Sequence, residues 1–123
     1  MASERQRRPV LMVEDDPDIR EALIEVLQSH GFEMVAASTG PEALERLAQM
    51  ERPPLVLLDA YGPTLDGAEF LARLRADPKL STCKVVFMKA GPGAPPPGAD
   101  AVFGRLFEIS DLIALLSRHS PPD

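Results

Sequence analysis

The chain has 123 residues, 45% apolar and 26% charged, which suits one globular domain with a single core and excludes wholesale disorder. Against 13 Lys and Arg stand 19 Asp and Glu, a net charge of -6 and the wrong sign for gripping nucleic-acid phosphates. The single cysteine, Cys83, excludes an internal disulfide and fits a reducing compartment. Met1 to Arg8 is polar and basic, and the apolar run after it is shorter than the about 7–15 residues of a signal peptide. No run approaches the roughly 20 apolar residues of a membrane span, so a cytoplasmic protein with no membrane partner is expected.

Short apolar runs alternate with helix-period segments, the pattern of parallel βα units. Residues 1–8 are expected to form a flexible arm, 9–119 the folded domain and 120–123 a frayed tail. Val10 to Val13 reads as a strand covered on both faces. Pro17 starts a helix that turns Ile19, Ala22, Leu23, Val26 and Leu27 inward, with Gly31 as its C-cap. Phe32 to Ala37 is a second strand. Ser38 or Thr39 caps a second helix, with Pro41 in its first turn and Ala43, Leu44, Leu47 and Ala48 inward.

Leu55 to Leu58 is the third and most hydrophobic strand, ending at Asp59. A third helix runs from Asp66-Gly67 to Arg75 on a stripe of Phe70, Leu71 and Leu74, and Asp77-Pro78 stops it. Val85 to Met88 is a fourth strand. Gly91 to Gly98 carries four prolines and excludes an ordinary helix, because Pro lacks the amide donor and clashes with the preceding turn. Ala101 to Phe103 is a short fifth strand, and Ser110 caps a last helix carrying Leu112, Ile113, Leu115 and Leu116.

Five such units predict a doubly wound sheet, whose sites form at the carboxyl ends of the strands. The first strand ends in Glu14-Asp15-Asp16, the third in Asp59 and the fourth at Lys89, so these places should converge on one rim. Two unit charges about 4 Å apart at an effective dielectric near 20 repel by roughly 4 kcal/mol, so such a cluster calls for a cation. Mg²⁺, a hard ion with oxygen ligands, is the natural one, and a carboxylate beside it is a candidate nucleophile toward phosphorus. Spacing alone leaves a second reading open, in which Glu14, Asp15 and Asp16 are a solvated cap on the first helix.

Val10-Leu-Met-Val-Glu14-Asp15-Asp16-Pro17-Asp18-Ile-Arg20 resembles the opening of bacterial response-regulator receiver domains. Leu55-Val-Leu-Leu-Asp59-Ala-Tyr-Gly-Pro63-Thr-Leu-Asp66-Gly67 resembles their phosphoacceptor segment, and Gly98-Ala-Asp100 the lead into their last strand. The resemblance implies a flavodoxin-like α/β fold, a five-stranded parallel sheet in the order 2-1-3-4-5. It implies Asp59 as the acceptor of a phosphoryl group from a histidine kinase or phosphotransfer protein. It also implies Mg²⁺ held by Glu14, Asp15, Asp59 and the backbone carbonyl of Tyr61. Pro63, Asp66 and Gly67 match the turn that sets the acceptor loop and starts the third helix.

The chain departs from the family at three places. Lys89 stands where the family has the switch Ser or Thr, and its ammonium would weaken Mg²⁺ binding unless it points into water. Arg105 stands where the family has a phosphate-binding Lys, and its planar fork meets oxyanions differently, unless the shortened segment displaces it to the surface. Ten residues, Gly91 to Asp100, replace the fourth helix, barely the minimum for a crossover. Either that segment lies flat over Val85, Val86, Phe87, Met88, Val102 and Phe103, or an apolar face is left for an output protein or a second copy. Three functions compete: a receiver phosphorylated on Asp59, a phosphorylation-independent docking scaffold, and, remotely, a small Mg²⁺-dependent phosphoesterase with Asp59 as nucleophile.

Overall fold

A computed structural model describes residues 8–59, 67–89, 98–104 and 108–119. The elements alternate: β1 (Val10–Val13), α1 (Pro17–Ser29), β2 (Met34–Ala37), α2 (Gly40–Gln49), β3 (Leu55–Asp59), α3 (Gly67–Ala76), β4 (Lys84–Lys89), β5 (Ala101–Gly104) and α4 (Ile109–His119). The strands form one parallel sheet in the order β2-β1-β3-β4-β5. This is the expected flavodoxin-like α/β architecture. Four helices occur among the described residues, and most of the Pro-rich connection between β4 and β5 lies outside them.

Side chains alternate across the sheet and divide the core in two. Leu11, Val13, Val56, Leu58, Val85 and Phe87 face α2 and α3, meeting Ala43, Leu47, Phe70, Leu71 and Leu74. Val10, Met12, Leu55, Leu57, Val86 and Met88 face α1 and α4, meeting Leu23, Leu27, Leu112, Leu115 and Leu116. With both faces covered, the central strands read as unbroken hydrophobic runs. Ala22 and Ala48, expected inward, are exposed, because the helices turn their leucines to the sheet and an alanine adds little burial.

The helix ends follow local chemistry. Asp16 caps α1, accepting from the amides of Asp18 at 2.9 Å and Ile19 at 3.2 Å, with Pro17 next in line. Helix α1 closes as a Schellman turn: the Phe32 amide donates to Leu27 O and that of Gly31 to Gln28 O, with Gly31 at φ 90°. Phe32 is therefore spent on the turn, and β2 begins at Met34 rather than at Phe32. Thr39, not Ser38, caps α2, accepting from the Glu42 amide at 3.1 Å, while the Glu42 carboxylate accepts from Ser38 N and Oγ. Thr39→Ala is expected to cost about 1 kcal/mol, read as a lower urea midpoint at unchanged slope. Ser110 lies inside α4 instead of capping it; the Glu108 carbonyl accepts from Asp111 and Leu112, so the first turn closes earlier.

The β4–β5 crossover is tied at its base by Arg75, near the end of α3. Its guanidinium donates to the carbonyls of Ser81 (2.8 Å), Cys83 (2.7 Å) and Gly98 (2.6 and 3.1 Å), and pairs with Asp100 at 2.9 Å. Asp100 in turn accepts from the Val85 amide at 2.7 Å, and its own amide donates to Val85 O. Gly98, at φ 105°, makes the bend that brings its carbonyl onto Arg75. Of the apolar face expected over β4 and β5, Val85, Val86, Phe87 and Met88 are buried and Phe103 half-buried. Val102, 44% exposed, is what remains of it among the described residues. The reason is that α3, Leu80 and Ala99 pack on one side of β4 while α4 packs on the other.

Candidate functional site

Strand β1 lies beside β3 with Val13 opposite Leu58, so the next residues, Glu14 and Asp59, come level at the carboxyl edge of the sheet. Both are buried, Glu14 to 1% exposure and Asp59 to 0%, the two buried charged residues among those described. Backbone and side chain of Glu14 are both held. Its amide donates to Ala37 O at 3.0 Å, its carbonyl accepts from Arg20 Nη1 at 2.9 Å, and its Oε2 accepts from the Asp16 amide at 3.0 Å. Asp16 is thereby removed from the site: its carboxylate is the exposed cap of α1, so the capping reading holds for this residue of the acidic triplet.

The carboxyl groups of Asp59 and Asp15 neighbour that of Glu14 and act on it. Burial first, then the contact with Asp59, push Glu14 up to about 8, while the Asp16 amide pulls the other way. Glu14 is thereby biased toward its protonated form. Among the described residues no three His, Cys, Asp or Glu side chains stand grouped as a metal cage. The donor chemistry nonetheless fits a hard divalent ion. All the ligands are oxygens, and the like-charge crowding that lifts Glu14 is what a cation relieves.

Because the folded-state value of Glu14 is raised above 4.5, its stabilising proton is fully bound at low pH and lost as pH rises toward and through about 8. Without divalent ions, the urea midpoint should fall between pH 5.5 and pH 8.5, and added Mg²⁺ should recover it at the higher pH. A midpoint that is flat or rising over that window contradicts the raised Glu14 carboxyl.

The remaining expected site residues are placed only in part. The backbone of Lys89 ends β4, one residue beyond Met88, which pairs with Asp59, and Lys89 itself pairs with Gly104. It thus reaches the same rim, with its side chain outside the described set. Tyr61, Pro63, Asp66 and Arg105 lie outside the described residues. Cys83 is buried just before β4, at the other end of the sheet, and burial pushes its thiol up, as suits a structural residue. His30 sits at the C-terminus of α1 with Nδ1 3.0 Å from Val26 O. The residue that inspection of motifs overlooks is Arg20, whose signal is only its place one turn into α1.

A family model described as the response regulator receiver domain matches residues 10–93. Response regulator MprA of Mycobacterium leprae is 34% identical over 125 residues, covering 93% of this chain and 53% of the relative. DNA-binding response regulator MtrA of Mycolicibacterium smegmatis is 39% identical over 71 residues, covering 58% of this chain and 31% of the relative. The chain thus spans about a third to a half of the length of such relatives. Among solved structures, the receiver domain of a signal transduction histidine kinase from Syntrophus aciditrophicus superposes with a TM-score of 0.79 at 26% identity. That match covers 90% of this chain and 88% of the other.

Proposed function

Because the chain belongs to the response-regulator receiver family of bacterial two-component systems, we propose that Asp59 accepts a phosphoryl group from a histidine kinase or a phosphotransfer protein. The observation that carries this reading is the burial of Asp59 against Glu14 at the carboxyl edge of the sheet. A buried carboxylate beside a second one is costly unless the site uses it.

In the step itself, an oxygen of the Asp59 carboxylate attacks phosphorus, an acyl phosphate O–P bond forms, and the bond from phosphorus to the donor's histidine nitrogen breaks. The electron pair of that bond leaves with the imidazole. Glu14, Asp15, Asp59 and the Tyr61 carbonyl would hold Mg²⁺, which when bound supplies neutralisation of the phosphoryl oxygens. Burial excludes water from the attacking oxygen, and the contact with Glu14 limits how its carboxylate can turn. Lys89 matches the family's switch position and Arg105 its phosphate-binding position, and neither residue supplies the hydroxyl of a switch Ser or Thr. The chain then signals by contact with another protein rather than by turning over a substrate.

Incubating the chain with a small phosphoryl donor and Mg²⁺ should add the mass of one phosphoryl group, lost again in hydroxylamine. An unchanged intact mass removes the reading. Lys89 favours one second reading, a docking scaffold that signals without phosphorylation, because an ammonium cannot make the short movement of a switch hydroxyl. In that case Asp59→Ala leaves signalling in the cell intact.

A further inference from the structure

We infer that Arg20 is a positioning residue for the carboxylates that hold the divalent ion, acting through the Glu14–Asp15 peptide and not through its charge. The inference rests on the proposed Mg²⁺ and phosphoryl site. Arg20 lies in the first turn of α1, where side chains lean back toward the helix N-terminus, and its Nη1 donates to the Glu14 carbonyl at 2.9 Å. That carbonyl belongs to the same planar peptide unit as the Asp15 amide. One hydrogen bond therefore orients the backbone from which both acidic side chains spring.

Two other contacts hold Glu14 from different sides. The Glu14 amide is tied to Ala37 O in β2, and Glu14 Oε2 to the Asp16 amide. Arg20 supplies the third tie, from its side chain to the backbone of Glu14. Its own amide donates to Asp16 O at 2.9 Å, so the guanidinium is anchored to the helix that Asp16 caps. The rigid first turn of α1 thus becomes a brace for the loop that carries Glu14 and Asp15. Loss of the brace frees the peptide plane to rotate, and the two carboxylates no longer meet a cation together.

Charge and position make opposite predictions, which renders the inference testable. A guanidinium beside a cation site repels the ion, so a purely electrostatic Arg20 predicts tighter Mg²⁺ binding once its charge is removed. A positioning Arg20 predicts weaker binding. Calorimetric titration of MgCl₂ into the metal-free 123-residue chain should show Arg20→Met binding about tenfold more weakly than the native protein, the scale of losing a support behind a metal ligand. Arg20→Lys, which keeps a donor of nearly the same reach, should recover most of that loss. Urea midpoints of the metal-free variants should stay close to native, separating the effect from a general loss of fold.

Arg20→Met binding Mg²⁺ as tightly as native, or more tightly, overturns the inference while leaving the site reading intact. A midpoint lowered equally in both variants also overturns it, since the defect is then one of folding. Failure of the native chain to bind Mg²⁺ overturns the site reading and this inference with it.

Discussion

Asp59→Asn is expected to abolish phosphoryl labelling and, at the same time, to make the Mg²⁺-free protein more stable. The amide has no oxygen nucleophilic enough to form an acyl phosphate, so the labelled fraction should fall at least a hundredfold, to background by intact mass. Stability moves the other way because the native site buries two carboxyl groups in contact. An Asn in that place removes one carboxylate and offers an N–H to Glu14, a gain of about 1 kcal/mol on the scale of a net hydrogen bond. The burial that lifts Glu14 remains, but the part of its rise that comes from Asp59 disappears. The fall in stability between pH 5.5 and 8.5 should accordingly become shallower. A variant less stable than native, or one that still takes up a phosphoryl group, contradicts the account of the site.

Arg75→Met should be the most damaging change outside the apolar core. Every N–H of the guanidinium has a partner: the carbonyls of Ser81, Cys83 and Gly98 and the Asp100 carboxylate. Methionine keeps the length of the stem and removes all five donors at once. Three carbonyls and a carboxylate must then find water at a partly covered site, for which a loss of about 2–4 kcal/mol is expected. For a domain of this size that corresponds to a melting point lower by roughly 10 °C. Asp100→Asn should cost less, because an amide oxygen can still accept from the Val85 amide. If Arg75→Met melts with the native protein, the tie at the base of the crossover contributes nothing. Phosphoryl labelling at low temperature should survive, since the tie lies at the end of β4 away from Asp59.

The connection between β4 and β5 gives the Arg75 tie its importance. The segment leading into β4 and the one leading into β5 are clamped together by hydrogen bonds from this one side chain, and Gly98 supplies the backbone bend. Of the two outcomes the sequence leaves open, a covered strand pair or an exposed apolar face, the described residues show exposure only at Val102. Polar bonds at the base and helices α3 and α4 on either side of β4 do most of the covering.

The strands and the alternation of helices between them were legible in the chain because they rest on short-range patterns, whereas the strand order came with the resemblance to the receiver family. Unbroken runs such as Leu55 to Leu58 announce strands buried on both faces, and Asp16-Pro17 and Thr39 announce helix starts. Strand and helix ends were less legible, because the last turn competes with the next element for the same residues. Phe32 went to the Schellman turn and Ser110 to the helix interior for that reason.

Of the site, residue types and their order along the chain already marked Glu14, Asp15 and Asp59, since acids directly after apolar strands are costly unless they serve one another or a cation. Only the tertiary structure decided how the acids divide. The register of β1 on β3 brings Glu14 level with Asp59, while the start of α1 takes Asp16 away as a cap. Likewise, neither Arg20 nor Arg75 could be singled out from one dimension. Each acts by reaching backbone carbonyls, which every residue has, and which of them lie within reach is set by how the chain folds back on itself.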